Sequence, residues 1–264
     1  MNTTKKVEFI KNWIQKYVDS MPVKAKSLVI GISGGIDSSV SSTLCAMTGM
    51  KTIVLSMPIK QKSAQHDLSL SHQEWLKKNF SNVEGHTIEL DNLFGAFESS
   101  LSKFDNEHGM ANSRARLRMT TLYYFSAINN YLVAGTGNKV EDFGIGFYTK
   151  YGDGGVDISP IADLMKSEVF VLAKYLNIIE DIQNSKPTDG LWDDDRTDED
   201  QIGASYDEIE YVMKNFGKNS NQKFTTRQKE VLQLYKILNS KNKHKMDPIP
   251  VCKVPKYLKN SIKF

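Results

Sequence analysis

The feature that most constrains this chain is a switch of hydrophobic period between residues 27 and 49. Ser27-Leu-Val-Ile-Gly-Ile32 is an unbroken apolar run, the pattern of a strand buried on both faces. The turn Ser33-Gly34-Gly35-Ile36-Asp37-Ser38 follows it directly. From Asp37 onward Val40, Leu44 and Met47 recur at the spacing of one helix face, until Gly49 stops the helix. A buried strand that turns through glycines into a helix predicts an α/β fold, with the helix packed back on a parallel sheet.

The alternation continues. Lys51–Met57 is a second strand closed by Pro58, and a polar helix over 64–78 leads to a third strand near 85–90. A long helix over 112–130 precedes a fourth strand, Tyr131–Ala134, and Asp157–Pro160 is a short fifth. A further helix runs through Glu168, Val169, Leu172 and Leu176. Three glycines make Lys150-Tyr-Gly-Asp-Gly-Gly155 a loop. Ser205-Tyr-Asp-Glu208 and Thr225-Thr-Arg-Gln228 have the pattern of capping boxes that open two late helices. The expected architecture is a three-layer, Rossmann-like, doubly wound parallel sheet of five strands. One domain is expected over 1–264, with an N-terminal helix at 5–20 and a C-terminal helix and tail at 225–264.

Bulk properties exclude several classes. The 264 residues carry a net charge of +3, too small to argue for a nucleic-acid partner. No run of eighteen apolar residues exists, so no membrane-spanning segment is expected. The first residues read as an amphipathic helix and not as a signal peptide. Cys45 and Cys252 are too few for a disulfide framework and have no metal-ligand spacing, so a reducing cytoplasm is the expected compartment.

The turn at 33–38 suits one task. Glycines let the backbone approach an anion, its N–H groups point inward, and the helix N-terminus adds partial positive charge. Ser33 and Ser38 can donate to phosphate oxygens, whereas Asp37 would repel them unless a magnesium ion bridged the two. The turn lacks both the Gly-Lys-Ser/Thr ending of a Walker loop and the Gly-x-Gly-x-x-Gly dinucleotide spacing. The bland alternative is a glycine turn with Asp37 as helix cap; serines and an aspartate around Gly34-Gly35 favour the phosphate site.

Ser-Gly-Gly-Ile-Asp-Ser resembles the pyrophosphate-binding motif of the ATP pyrophosphatases, which cleave ATP between its α and β phosphorus atoms. Further blocks narrow the resemblance to the NAD synthetase family. These are Asn112-Ser-Arg-Ala-Arg-Leu-Arg-Met119, Gly135-Thr-Gly-Asn138 with Glu141, Tyr148–Gly155 with Asp157, and Pro160 with Leu164 and Lys166. Pro187-Thr188, Gly203-x-x-Tyr206-x-x-Ile209 and His244-Lys245 complete them. The resemblance implies an adenine nucleotide alpha-hydrolase-like fold and an ammonia-dependent amidation of deamido-NAD. ATP is the cosubstrate, Mg2+ the cofactor, and AMP and pyrophosphate the products. Ammonia is the expected nitrogen donor, because a glutamine-using amidase domain would need several hundred further residues. Family resemblance also implies a homodimer with the dinucleotide bound across it.

The same resemblance assigns roles. ATP would lie against Gly31, Ile32, Ser33, Gly34, Gly35, Ile36, Asp37, Ser38, Arg118, Thr136, Lys166 and Thr188. Deamido-NAD would be held by Arg116, Lys150, Asp157, His244 and Lys245, and magnesium by Asp37 and Glu141. The catalytic set would be Asp37, Lys166 and Asp153, with Asp153 or Asp157 receiving the ammonium proton. The segment 142–148 is one residue longer than in many relatives, which leaves Asp142 as an alternative metal ligand. Helical geometry adds that Arg114 and Arg118 share a face, while Arg116 lies roughly 200° around from Arg118. The acidic stretch Asp193–Asp200, between a glycine and a capping box, is expected to be a solvated loop or a lid over nucleotide. Two rivals remain: the same chemistry on nicotinate mononucleotide, and a non-catalytic nucleotide sensor.

Overall fold

The computed structural model describes residues 3–61, 63–104, 106–188, 197–216 and 224–259, with only the backbone at Asn129. Four parallel strands form one sheet in the order β3-β2-β1-β4, with β1 Ser27–Gly31, β2 Lys51–Ser56, β3 Val83–Thr87 and β4 Tyr131–Val133. Strand β1 is central, which is why its residues are apolar without alternation. Leu28 and Ile30 enter one core and Val29 the other.

The first core holds α1 (Thr3–Ser20), α2 (Ile36–Met47), α6 (Lys166–Tyr175) and Leu76 of α3 (Ser63–Asn79). Helix α1 contributes the stripe Val7, Ile10, Ile14 and Val18, which the i, i+3/i+4 pattern dictates. The second core lies under α4 (Asp91–Ser100) and α5 (Glu107–Asn129), with Phe94 fully buried. Helices α2 and α3 therefore cover one face and α4 and α5 the other, which makes three layers. The chain order reverses between β1 and β4, and a crevice opens at the carboxyl ends of strands at such a point. A third cluster joins α8 (Asp198–Ile202), α9 (Tyr206–Asn215) and α10 (Thr226–Met246) to a π-helical turn, Val140–Ile145. Helix α7 (Glu180–Asn184) completes the set.

Helix α2 is buried almost all round. Its polar residues satisfy themselves by bonding back along the helix: Thr43 Oγ1 donates to Ser39 O at 2.7 Å and Ser39 Oγ to Gly35 O at 2.9 Å. Cys45 packs in the first core, and burial pushes its thiol up to about 12. Helix α5 starts earlier than the sequence pattern suggests, because Asn106 Oδ1 accepts the Gly109 N–H at 2.7 Å and caps it. Both late capping boxes form, at Ser205–Glu208 and Thr225–Gln228.

The expected fifth strand is reduced to a single parallel bridge, Ala134 to Ile158, so the sheet has four strands. The cause is local. Asp157 Oδ2 takes the Val133 N–H at 2.8 Å, a donor that a fifth strand would need, and Pro160 has no N–H to offer. Of the acidic stretch, Asp193–Arg196 lie outside the described residues, whereas Thr197 caps α8 through Asp200. No described helix is long and apolar enough to cross a membrane.

Candidate active site

One cavity of about 1130 Å³ opens over the carboxyl ends of β1 and β4. Its wall begins with Gly31–Ser38. Gly34 has φ +86°, and a Cβ there would sit 2.6 Å from Gln65 O and 2.9 Å from Ser69 N of α3, so only glycine fits. The two serines close the turn. Ser33 Oγ accepts the Gly35 N–H at 3.2 Å, while Ser38 Oγ accepts the Ser33 N–H at 3.2 Å and donates to Gly35 O at 3.0 Å. Pointing the Gly35 N–H at Ser33 still leaves the helix α2 terminus facing the cavity.

Behind this turn sits a buried charge cluster. Lys166, the first residue of α6 and only 3% exposed in its side chain, donates to Asp37 Oδ2 at 2.6 Å and to Glu141 Oε1 at 2.9 Å. Asn138 Nδ2 donates to Asp37 Oδ1 at 3.1 Å, while its Oδ1 accepts the N–H groups of Val140 and Glu141. Asn138 thus fixes both the aspartate and the start of the π-helical turn. Tyr206 OH donates to Glu141 Oε1 at 2.6 Å, and its ring centroid lies 4.7 Å from the Lys166 ammonium.

The electrostatics follow from burial and pairing. Burial would lower Lys166, but the two carboxylates outweigh it and hold the ammonium above the ordinary lysine value. Burial raises Asp37, with Lys166 opposing. At Glu141 burial is outweighed by Lys166 and by the Tyr206 hydroxyl, and the carboxyl stays below the usual range. Two carboxylates bracketing a cation, beside a phosphate-type turn, form a hard-oxygen donor set. That set fits magnesium, which binds through one or two carboxylates and completes its shell with phosphate and water.

Glu141, and not Asp142, is the carboxylate that faces Asp37. The Val140–Ile145 segment is wound as a π-helix, with the Gly146 N–H on Glu141 O. This wider turn rotates Asp142 away. Its oxygens lie against Gly137, where an added Cβ would be 2.2 Å from them. Burial, then Glu141, Asp153 and Asp37, raise the Asp142 carboxyl to about 8. Asp153 accepts the Thr149 N–H at 2.9 Å. Asp153 is an exposed residue of the cavity wall, and desolvation of its carboxyl lifts it to about 6.

At the far end, Arg116 and Arg118 leave α5 in different directions, as their helical angle requires. Arg118 Nε donates to Met57 O at 2.9 Å beyond β2, and Arg116 Nε to Lys150 O at 3.4 Å. Arg114 turns elsewhere, over the Phe94 ring at 5.2 Å. Lys150 donates to the His244 carbonyl, and Lys245 to the carbonyls of Gly146 and Tyr148, each at 2.8 Å. These bonds pin the end of α10 to the 146–150 loop.

Residues 6–248 match the profile of the NAD synthase family. The chain belongs to that family. It is 37% identical to the NH3-dependent NAD+ synthetase of Finegoldia magna over 246 residues, 93% of this chain and 95% of the relative. The corresponding protein of Archaeoglobus fulgidus is 35% identical over 256 residues, covering 94% of this chain and 97% of the relative. Among solved structures, the NMN synthetase from Francisella tularensis has a TM-score of 0.83 at 31% identity, covering 97% of this chain and 99% of that one. The NH3-dependent NAD synthetase from Campylobacter jejuni, in complex with nitrate, has a TM-score of 0.77 at 29% identity, covering 96% and all of that chain. Coverage this complete means that the family likeness takes in both ends of the cavity, from the phosphate turn to α10.

Of the residues to which the family resemblance assigns a binding, metal or catalytic role, all but Asp157 line this one cavity. Asp157 stands behind the wall, with Oδ1 on the Tyr123 hydroxyl at 2.9 Å and Oδ2 on Val133 N. The structure adds roles that the motifs did not reveal. Asn138 and Tyr206 orient the carboxylates, and Asp198 lies 3.2 Å from the Tyr206 hydroxyl. Asp198 carried no sequence signal beyond its place in an acidic run.

Proposed function

We propose that this chain amidates the nicotinate carboxyl of deamido-NAD with ammonia, driven by cleavage of ATP to AMP and pyrophosphate. The observation that carries this reading is the Asp37–Lys166–Glu141 cluster directly behind the phosphate turn, in a cavity whose other end holds Arg116, Lys150 and His244. The cavity exceeds the roughly 300–1,000 Å³ of ordinary small-ligand pockets, which suits two nucleotide-sized occupants.

Gly31–Ser38, Thr136, Thr188 and Arg118 bind the ATP phosphates and ribose. Asp37 and Glu141 would hold a magnesium ion, which would supply positive charge against the phosphates and the pyrophosphate leaving group. Lys166, released from one carboxylate, donates to the β- and γ-phosphate oxygens as charge builds there. Arg116, Lys150, His244 and Lys245 hold the dinucleotide so that its carboxylate oxygen attacks the α-phosphorus. The P–O bond to pyrophosphate breaks and an acyl adenylate forms. Ammonia nitrogen then bonds to the acyl carbon, AMP leaves, and Asp153 receives the ammonium proton. Asp153 suits this better than Asp157, because it lines the cavity and Asp157 does not. Asp157 acts on the dinucleotide through Tyr123 and the end of β4.

The protein works as a homodimer through α4 and α5, where Leu93, Phe97, Tyr124 and Ile128 are 57%, 42%, 69% and 54% exposed. Light scattering of the purified protein tests that assembly; a monomer at micromolar concentration refutes it. A second reading is supported by the likeness to the Francisella tularensis NMN synthetase: the same chemistry on nicotinate mononucleotide. Purified protein with ATP, Mg2+ and ammonium, offered each acid in parallel, decides. AMP release with neither acid sinks both readings, and a preference for the mononucleotide sinks only the first. Asp153→Asn lowers turnover far more than substrate affinity; unchanged turnover removes its assigned role.

A further inference from the structure

Tyr206 touches both signs of the buried cluster. Its ring face lies under the Lys166 ammonium, and its hydroxyl reaches Glu141 Oε1 at 2.6 Å and Asp198 Oδ2 at 3.2 Å. A phenol has one proton to donate, yet two carboxylates converge on it. The shorter contact is with Glu141, the principal acceptor of that proton here. Asp198 is 6% exposed, and its backbone N–H donates to Pro187 O at 3.0 Å, next to Thr188 in the cavity wall. The hydroxyl therefore stands between the carboxylate proposed to hold the cation and the segment that walls the nucleotide.

We propose that Tyr206 is a positioning residue whose hydroxyl sets the Glu141 carboxylate for its divalent cation and links that carboxylate, through Asp198, to the Pro187–Thr188 wall. The inference rests on the reading of Asp37 and Glu141 as cation ligands. The hydroxyl donates to Glu141 at the shorter distance and stays within reach of Asp198, so it holds the carboxylate that would bind the cation in register with the wall beside the nucleotide. The neighbouring groups are arranged to keep Tyr206 in place. Its backbone N–H donates to Glu199 Oε1 at 2.8 Å, and one turn along α9 Glu210 accepts from Ser167 N and Oγ, each at 2.7 Å. Helix α9 thereby grips the start of α6, where Lys166 sits.

Tyr206→Phe keeps the ring and its contact with Lys166 and removes only the hydroxyl. Mn2+ serves as the probe, read by the loss of its free paramagnetic resonance signal as protein is titrated in with and without ATP. Removing a hydrogen bond to a charged group should weaken Mn2+ binding in the presence of ATP by about tenfold. ATP affinity measured by calorimetry should fall with it, while KM for the acid substrate stays the same. Asp198→Asn should weaken ATP but leave Mn2+ binding without nucleotide unaltered. In the double variant the ATP losses should not add, because both substitutions remove one link. Unchanged Mn2+ affinity in Tyr206→Phe, or additive losses in the double variant, would overturn the proposal. Equal weakening of every ligand, the acid substrate included, would overturn it too, as the mark of a merely structural role. Wild-type protein that binds Mn2+ with ATP but amidates no acid would refute the reaction and leave this test intact. Wild-type protein with no Mn2+ site would refute the cation reading and the inference together.

Discussion

Replacing Lys166 by Met keeps the buried stem and deletes the ammonium, which leaves Asp37 and Glu141 facing each other across the empty position. The ammonium lies 2.6 and 2.9 Å from them, and at an effective dielectric of about 20 each contact is worth roughly 6 kcal/mol before desolvation. The variant does not lose that sum, because one carboxyl can take up a proton instead. Protonating a group of ordinary value near 4 costs about 4 kcal/mol at pH 7 and about 1.4 kcal/mol at pH 5, at about 1.36 kcal/mol per unit. Those figures are the proton-uptake part of the destabilisation, the part that varies with pH. Lys166 in the wild type is raised, so its contribution is fully present below the ordinary lysine value and is constant over pH 5–8. In the variant the shared carboxyl has a raised folded value, so its penalty grows as pH climbs above the ordinary carboxylate range. That part of the gap in Tm should be roughly 8–16 °C at pH 7 and roughly 3–6 °C at pH 5, taking about 2–4 °C per kcal/mol. Added Mg2+ should stabilise the variant more than the wild type, since no ammonium competes for the two carboxylates. Thermal melts by circular dichroism, at pH 5, 7 and 8 with and without Mg2+, measure both effects. A gap that stays constant with pH, or widens toward acid, would refute the reasoning.

Asp142→Asn should raise the Tm of the ligand-free protein at pH 8 and change it little near pH 4. The wild-type carboxyl, raised to about 8 first by burial, loses stability as pH rises through that window; no gain at pH 8 contradicts the burial. Gly34→Ala should cost on the order of 1–3 kcal/mol in urea unfolding, through positive φ and the close backbone of α3. Gly35→Ala, whose Cβ would meet only Ser33 Oγ at 3.3 Å, should cost less; the reverse order would disprove the steric argument. Glu210→Gln should destabilise by about 1.5–3 kcal/mol, as the bonds to Ser167 lose their charge assistance. Denaturant titration checks this, and an unchanged midpoint would show that α9 does not grip α6.

The parts of the fold that were legible are those written in local period and punctuation. Strand β1, the face of α2 and the two late capping boxes depend on residues a few positions apart. The fifth strand was misjudged because Asp157 withdraws the Val133 N–H from the ladder, an event between residues 24 apart. The start of α5 was placed late because the Asn106 cap lies upstream of the apolar pattern. Within the site, the motifs named the charged residues, while Asp142 and Glu141 could be told apart only by the π-helical turn that rotates one into the cluster and the other onto Gly137. Tyr206 stood in a motif without a role, since a hydroxyl acquires meaning only from what it touches.

By itself, the sequence determined that a buried strand passes through Gly34 and Gly35 into a helix. Backbone geometry and hydrophobic period are short-range properties, so neighbouring residues suffice to specify them. Only the tertiary structure decided that Asp37, Glu141 and Lys166, more than a hundred residues apart at the extremes, share one buried cluster, and that Asp157 stands outside the cavity. The interaction of charges in a low-dielectric interior falls with distance through space, and chain separation carries no information about it.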